Sequence, residues 1–350
     1  MIDEKFDGIK TLVLTGAGAS VPFGIPAMAH FLDGFPVGTP SILQIAASRS
    51  QSLHQAIDIE EVMFFLLSIQ KMQENDLIAF PFLADVRQHI NVTTFEQAKK
   101  EATEAANRLK EHIHIKCSSF HPEKVWEVYE QLFQYCNLRN SGRVLVFTTN
   151  YDATLEDLFL PDGQRKEDVL PNFIDGFRRT EGAGFDTWAP HEFDQNLRDG
   201  TKGLYLFKLH GSLGWRRHHR RQDIIMKAVV EERSEFSVMI YPTKVKEPES
   251  PFDELYTKFS QLLQQATELI IVGCSLRDAS LRDKIQAAQQ KNHNLKIRLC
   301  DPNVETISSS LDQEDCNIKL SEYKVSFGSD DFTKLIVSKF TKSAKAKIEL

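Results

Sequence analysis

Residues Thr11–Pro26 read TLVLTGAGASVPFGIP, and this stretch predicts how the sheet of the protein begins. The apolar and β-branched run Thr11–Leu14 is short enough for a buried strand, and small residues follow it. A strand that leads through a small-residue turn into a helix directs backbone N–H groups at one point, which favours an anion such as pyrophosphate. The turn departs from the dinucleotide fingerprint at Val21, where a third glycine is usual, so a tight turn without a ligand is the alternative.

The composition is typical of a soluble globular protein without bulk affinity for nucleic acid. Hydrophobic residues make up 41% of the 350 residues, and the formal net charge is −7. The five cysteines form no Cys-x-x-Cys pair, so neither a zinc ribbon nor a dithiol motif is predicted. Acidic residues stand near the start, at Asp3 and Glu4, and no apolar run has membrane-spanning length. We therefore expect a cytoplasmic protein without a membrane anchor.

Apolar strands alternate with helical segments along most of the chain. After the first strand, further strands are predicted at 143–148, 204–209, 238–241, 269–272, 295–299 and 323–327. The alternation predicts an α/β fold with a Rossmann-like, doubly wound, mostly parallel sheet. Residues 1–40 and 140–340 would form this discontinuous domain, 41–139 a large helical insertion and 341–350 a flexible tail. Residues 161–203 are predicted to form a long loop.

Five of these strands end in short clusters of small or polar residues. The clusters are Gly16-Ala17-Gly18, Thr149-Asn150-Tyr151-Asp152, His210-Gly211-Ser212, Gly273-Cys274-Ser275 and Asp301-Pro302-Asn303. Because the carboxyl ends of parallel strands share one edge, these residues can meet at one ligand where the strand order reverses. Each cluster also has a purely structural interpretation, since Asp152 could cap the next helix and Asp301-Pro302 is a common turn pair. Five such clusters in one chain favour a binding site.

The order of these clusters resembles the sirtuin superfamily over residues 8–30 and 140–305. Two departures make the chain more similar to the prokaryotic sirtuin-like NAD hydrolases than to the protein deacylases. Gly24-Ile25-Pro26 is followed by Ala27-Met28-Ala29, where deacylases have Asp-Phe-Arg, and the paired zinc cysteines of deacylases are missing. The resemblance implies an NAD glycohydrolase that releases nicotinamide and ADP-ribose, uses no metal, and acts in antiphage defence by depleting NAD.

The resemblance also implies roles for individual residues. Asn150 and His210 would be catalytic, since an amide can hold a water or ribose hydroxyl and an imidazole can accept a proton near neutral pH. Asp152 would hold ribose hydroxyls or orient Asn150. The expected nucleotide-binding residues are Gly16, Ala17, Gly18, Ala19 and Ser20 at the pyrophosphate, then Ile25, Pro26, Thr149, Gly211 and Ser212, and Gly273, Cys274, Ser275, Asp301 and Asn303 around the adenosine half.

Relatives of this kind usually act with a sensor, and the resemblance therefore implies a partner. We expect a homo-oligomer, a separate sensor such as a translocase-type ATPase or an Argonaute-like protein, or both. Direct nucleic-acid binding is not expected, although the cationic run 216–221 could contact an acidic partner or an oligomer neighbour. Two other functions stay open at this point: a protein deacylase or ADP-ribosyltransferase, and a non-catalytic sensor of NAD or ADP-ribose.

Overall fold

The computed structural model describes residues 6–35, 46–47, 51, 58–71, 95–179, 185–218, 221, 225–227, 237–240, 250–313 and 318–340. The chain divides into two compact units. Unit 1 comprises Met1–Ile25, Ser119–Met239 and Pro248–Leu350, and unit 2 comprises Pro26–Ser118 and Ile240–Glu247. The first segment of unit 2 overlaps the predicted insertion 41–139, and the predicted tail 341–350 lies outside the described residues.

The described residues form twelve strands and nine α-helices. The strands are β1 Thr11–Thr15, β2 Arg143–Thr148, β3 Phe173–Ile174, β4 Phe177–Arg179, β5 Asp186–Trp188, β6 Gly203–Lys208, β7 Gly211–Arg217, β8 Ile225–Lys227, β9 Ser237–Met239, β10 Glu268–Val272, β11 Lys296–Cys300 and β12 Leu320–Tyr323. The helices are α1 Ile59–Lys71, α2 Phe95–Ser118, α3 Pro122–Arg139, α4 Thr154–Asp157, α5 His191–Arg198, α6 Phe252–Gln265, α7 Ala279–Lys291, α8 Val304–Gln313 and α9 Asp330–Leu335.

A seven-stranded sheet organises unit 1 in the order β12-β11-β10-β1-β2-β6-β3. All its neighbouring strands pair in parallel. Without the short edge strand β3, the order is that of a Rossmann fold, in which the chain runs outward from β1 on one side and later returns to the other. The predicted fold class is confirmed, and the strand order reverses at β1.

The central strands are apolar because helices cover both faces of the sheet. All residues of β1, β2, β6 and β10 are buried. One face packs against α3, where the rings of Tyr129 and Phe133 stack 4.8 Å apart within the main core cluster. On β2 and β6, the rings of Phe147 and Phe207 stack at 4.3 Å, and Phe147 also contacts Phe259 of α6 at 4.8 Å. The helices bury both faces of the sheet, and the edge at the carboxyl ends of the strands can carry polar side chains.

A second sheet in unit 1 overturns the predicted loop at 161–203. Five short antiparallel strands follow the order β4-β5-β8-β7-β9. Their aromatic cluster brings the rings of Phe177, Trp188 and Trp215 within 5.2–5.3 Å of each other. Four of the five strands have only three residues and show no periodic pattern, and β5 pairs with the distant β8, where Asp186 lies opposite Lys227. The cationic run predicted as a loop from 216 also begins inside β7.

Unit 2 contains the two helices α1 and α2. The apolar residues Val62, Leu66 and Ile69 of α1 are buried, as are Ala105 and Leu109 of α2. Near the end of unit 1, a strand was predicted at 323–327. The structure instead has β12 at Leu320–Tyr323, which pairs in parallel with β11. Of the helices in the described part of the chain, none combines the length and apolar character that a bilayer span requires.

Candidate active site

The turn after β1 is packed backbone to backbone against the turn after β10. Gly16 N–H donates to Val272 O at 3.1 Å, and Gly18 N–H donates to Gly273 O at 2.8 Å. A Cβ on Gly18 would lie 2.8 Å from Gly273 Cα, and a Cβ on Gly273 would lie 2.2 Å from Ala19 N. Gly273 also has a φ of +57°, which favours glycine. These predicted ligand residues thus have a structural task at the point where the strand order reverses.

A buried polar network links this turn to the end of β2. Asn150 Nδ2 donates to Gly16 O and to Ser20 Oγ, both at 2.9 Å. The Ser20 hydroxyl in turn donates to Asp152 Oδ2 at 2.8 Å. The other carboxylate oxygen, Oδ1, accepts from the Thr154 hydroxyl at 2.6 Å and from its N–H at 3.2 Å, so Asp152 also supports the start of α4. The structure therefore brings together Ser20, Asn150 and Asp152, which are far apart in sequence.

His210 follows β6, the strand beside β2. Thr148 and Lys208 are paired in the sheet, so Asn150 and His210 each stand two residues beyond paired positions on strands about 4.8 Å apart. Backbone hydrogen bonds from Leu209 N to Thr148 O and from Leu213 N to Tyr151 O, at 2.8 and 3.0 Å, join the two segments.

The two predicted catalytic side chains nevertheless contact different partners. Asn150 is bonded towards the β1 turn, whereas the buried His210 places Nε2 3.0 Å from Tyr256 Oη and 3.0 Å from Asp278 Oδ2. Tyr256 belongs to α6, and Asp278 is the N-cap residue of α7. The structure thus places both residues at neighbouring strand ends within separate hydrogen-bond networks.

A buried ion pair lies beneath the segment that carries Asn150. Lys208 Nζ donates to the main-chain oxygen of Asp152 and to Glu156 Oε1, the latter at 2.9 Å. The Ser212 hydroxyl donates to the same Glu156 oxygen at 3.3 Å. The second oxygen, Glu156 Oε2, is buried and has no hydrogen-bond partner among the described residues. The lysine thereby anchors the turn after β2, which positions Asn150.

A small polar cavity lies between these groups. Its lining includes Thr148, Asn150, Asp152, Glu156 and Lys208. Its volume is about 10 Å³, which is room for about one water molecule. The cavity is therefore too small for a nucleotide with the surrounding side chains in these positions.

The remaining predicted residues occupy the β10 and β11 side of the edge or serve the fold. Cys274 and Asp301 are buried, whereas Ser275 and Asn303 are exposed. Burial raises the pKa of the Asp301 carboxyl, and a hydrogen bond from Asn303 N–H opposes that rise.

Other predicted residues serve the fold near β1 and β7. Thr149 N–H donates to Thr15 O at 3.1 Å, Ala17 is half-buried, and Ala19 and Ile25 are buried. Gly211 opens β7, where a Cβ would lie 2.1 Å from Val238 O, and Pro26 is the first residue of unit 2.

Four residues of these networks were not among the predicted site residues. Lys208 and Glu156 form the ion pair, and Tyr256 and Asp278 contact His210. A lysine inside the apolar strand LYLFKL is a signal that could have found the first pair, because a buried charge needs a partner. The position of Asp278 before a helix predicts an N-cap, and nothing in the sequence predicts its contact with His210. Within the described ranges, no cluster of three or more His, Cys, Asp or Glu side chains is arranged to hold a metal ion.

No curated protein matches this chain. Among solved structures, it is similar to mutant Sir2 homologues in complex with 2′-O-acetyl ADP-ribose, at 12% identity and a TM-score of 0.44 over 95% of this chain and 92% of the other. A Sir2 homologue in complex with NAD gives 14% identity and a TM-score of 0.39 over 96% and 91% of the two chains.

A family model described as a SIR2-like domain matches residues 144–327. The match covers more than half of the chain. It includes Asn150 and His210, which lie just beyond the ends of β2 and β6, and Asp278, the N-cap of α7. The protein therefore belongs to the SIR2-like domain family.

Proposed function

We propose that this protein hydrolyses NAD at the bond between nicotinamide and ribose. The observation that carries the proposal is the buried network of Ser20, Asn150 and Asp152 at the ends of β1 and β2, beside the strand that ends at His210. This edge, where the strand order reverses, is where open α/β sheets bind their ligands. Amide, hydroxyl, carboxylate and imidazole groups are the types that a ribose and an attacking water require.

The proposed reaction needs no oxidant and no second substrate besides water. The C1′–N bond breaks with both electrons moving to the nicotinamide nitrogen, which leaves as a neutral amide-bearing ring. A water oxygen forms the new bond to C1′, and its proton passes to the His210 imidazole and then to solvent. The Asp152 carboxylate is the anionic group of the network, and it would stabilise the positive charge that develops on the ribose.

The polar character of the cavity supports a ligand rich in hydroxyl groups. Glu156 Oε2 is a buried acceptor without a partner among the described residues, and such an atom favours a hydroxyl donor from a ligand or a water. The cavity of about 10 Å³ is, however, far smaller than a nucleoside. The proposal therefore includes a rearrangement in which Asn150 leaves Gly16 and Ser20 when the dinucleotide binds.

The direct test is incubation of the intact protein with NAD, followed by chromatography for nicotinamide and ADP-ribose. We expect both products in equal amounts, and a loss of about 100-fold or more in rate for His210→Ala. His293→Ala is the matched control, because His293 is an exposed histidine before β11, and its rate should equal that of the unaltered protein. Full activity in His210→Ala would remove the imidazole from the mechanism.

The two alternative functions are separate outcomes of the same assay. Nicotinamide release only in the presence of an acetylated peptide would favour a deacylase. Thermal stabilisation by NAD or ADP-ribose without turnover would favour a sensor. A cyclic rather than a linear product would change the product assignment and leave the cleaved bond the same.

A gate on this activity is also part of the proposal. The hydrogen bonds that hold Asn150 against Gly16 and Ser20 support an enzyme that opens only in an assembly, either an oligomer or a complex with a sensor such as a translocase-type ATPase or Argonaute-like protein. A role in antiphage defence would follow from such control, because unregulated loss of NAD arrests the cell. Activity measured alone and with the product of the neighbouring gene, together with the mass of each assembly, tests this part.

A further inference from the structure

A buried three-residue network surrounds one nitrogen of His210. Its Nε2 lies 3.0 Å from Asp278 Oδ2 and 3.0 Å from Tyr256 Oη, and the Tyr256 hydroxyl donates to the same Asp278 oxygen at 2.8 Å. The His210 and Asp278 side chains are each 7% exposed. The three residues come from the end of β6, from α6 and from the start of α7, so the fold rather than local sequence assembles the network.

The chemistry of the partners determines which His210 nitrogen carries the hydrogen. An ionised carboxylate only accepts, and Asp278 faces donors at the Tyr256 hydroxyl, at the Leu281 N–H at 3.3 Å and at His210. Burial, and then the neighbouring Asp278 carboxylate, raise the pKa of Tyr256 above its ordinary range, so its hydroxyl stays protonated as a donor. The hydrogen on a neutral His210 therefore belongs on Nε2, and the lone pair belongs on Nδ1.

The turn that delivers Asp278 is held in an unfavourable backbone conformation. Leu276, two residues earlier, has a φ of +54°, which a branched L-residue rarely adopts. Arg282 Nη1 donates to Leu276 O at 2.8 Å and to Arg277 O at 2.7 Å and so fastens this turn to α7. Backbone strain of this kind is concentrated at functional sites.

We propose that Asp278, assisted by Tyr256, is a positioning residue that holds His210 in the Nε2–H tautomer and so assigns Nδ1 as the proton acceptor. The catalytic effect of this tautomer rests on the proposed nicotinamide release, whereas the tautomer of His210 can be tested independently of that function. Asp278 acts through His210 and is not placed in contact with substrate. The arrangement is that of a general base whose imidazole is oriented by a carboxylate on its other nitrogen.

The tautomer can be measured without any substrate. The intact protein, with ¹⁵N-labelled histidine, is studied by long-range nitrogen–proton NMR above the titration range of histidine, and His210→Gln identifies the signal among the 11 histidines. We expect protonated Nε2 and unprotonated Nδ1. In Asp278→Ser the hydroxyl can still cap α7 but is too short to hold the imidazole, so we expect a mixture of tautomers. A dominant Nδ1–H form in the unaltered protein would overturn the proposal.

A matched control separates loss of this contact from loss of a helix cap. Ser329 is the N-cap of α9 and accepts from Phe332 N–H at 3.2 Å, so Ser329→Ala removes a cap elsewhere in unit 1. We expect its His210 tautomer to match that of the unaltered protein. If Asp278→Ser does not fold, Asp278→Asn retains a cap and replaces one acceptor by a donor facing Nε2. It should then favour the Nδ1–H tautomer, and an unchanged Nε2–H form would contradict the proposal.

The catalytic consequence is tested by the split between kcat and KM for NAD. We expect kcat to fall about 100-fold or more in Asp278→Ser, by analogy with carboxylates that orient a catalytic imidazole, with KM changed less than about threefold. Tyr256→Phe removes only the hydroxyl and should lower kcat about tenfold. A normal kcat in Asp278→Ser would contradict the positioning role. Absence of nicotinamide release from the unaltered protein would overturn the proposed function, and the NMR result would still decide the tautomer.

Discussion

The two halves of the sheet's carboxyl edge are built in opposite ways. At β1 and β10, three glycines bring main chains together so closely that a Cβ would lie 2.2–2.9 Å from the opposing backbone. At β2 and β6, side chains fill the edge instead. Asn150, Asp152 and Lys208 belong to one hydrogen-bond network, and His210 is bonded to Asp278 in another. The first half depends on the absence of side chains at its glycines, and the second half depends on buried polar side chains.

The two halves also differ in the polar groups that they could present to a ligand. The amides of Gly16 and Gly18 donate to the β10 side, so their first use is to join two strand ends. The polar half contains a Glu156 oxygen that lacks a hydrogen-bond partner among the described residues, and a histidine oriented by a carboxylate. We therefore interpret the glycine half as the rigid support and the polar half as the reactive part. The following variants test that division.

Lys208→Met should have the largest effect on stability. Lys208 is 3% exposed and Glu156 13% exposed, so removal of the lysine leaves a carboxylate buried without its cation. We expect the free energy of unfolding to fall by about 3–5 kcal/mol in urea denaturation. The control is Lys324→Met, because Lys324 and Glu305 form an exposed pair, and its loss should be under about 1 kcal/mol. Equal losses in the two variants would contradict a stabilising role for the buried Lys208–Glu156 ion pair.

Gly273→Ala tests the glycine half. The new methyl group would meet Ala19 N at 2.2 Å while the backbone stays at a φ of +57°, so we expect a loss of about 3 kcal/mol. Gly200→Ala is matched in conformation, with a φ of +68°, but among the described residues no atom outside its own chain neighbours lies within 4 Å of the added Cβ. It should cost about 1 kcal/mol in the same denaturation experiment. If the two variants unfold alike, close backbone packing does not explain the geometry of this turn.

Ser20→Ala joins the two halves in one test. Its hydroxyl accepts from Asn150 and donates to Asp152 while it is 1% exposed. We expect a loss of about 1–2 kcal/mol in unfolding free energy, together with slower nicotinamide release because Asn150 loses a fixed partner. Ser309→Ala, on an exposed face of α8, removes a hydroxyl bonded to Glu305 O and should leave both measurements unchanged.

Asp301→Asn should have the smallest effect, and the effect should depend on pH. Burial raises the pKa of Asp301 above that of the unfolded chain, so the folded state binds this proton more tightly. Asp301 therefore contributes stability at low pH that is lost as pH rises through its raised pKa. The variant should gain stability relative to the unaltered protein from about pH 4 upward, and the gain should vanish below that. A relative stability that stays flat across this pH range would contradict the raised pKa of Asp301.

The central sheet was predictable because its strands are long apolar runs whose order follows known connection rules. Buried runs such as 143–148 and 269–272 need cover on both faces, and this requirement predicts helices between them. The second sheet was not predictable, because strands of three residues such as Phe177–Arg179 have no periodicity of their own. They depend on distant partners, and the aromatic contact between Trp188 and Trp215 forms only after both segments meet.

The candidate site was predictable in position but not in its partners. Strand-end residues such as Asn150 and His210 can be placed on one edge from the parallel order alone. The contacts of His210 with Tyr256 and Asp278 depend on how α6 and α7 pack over β6, which is a tertiary property. The use of Gly16 and Gly18 in packing was hidden for a related reason, because a glycine in sequence does not reveal which atom approaches it.

The most direct test of the account is a double-mutant cycle on nicotinamide release, with Asn150→Ala, His210→Ala and the double variant. If both side chains serve one reaction at adjacent strand ends, the double variant should be no slower than the slower single variant, because either loss disables the same step. Two independent losses that multiply, or a single variant with unchanged release, would contradict the claim that these residues act together.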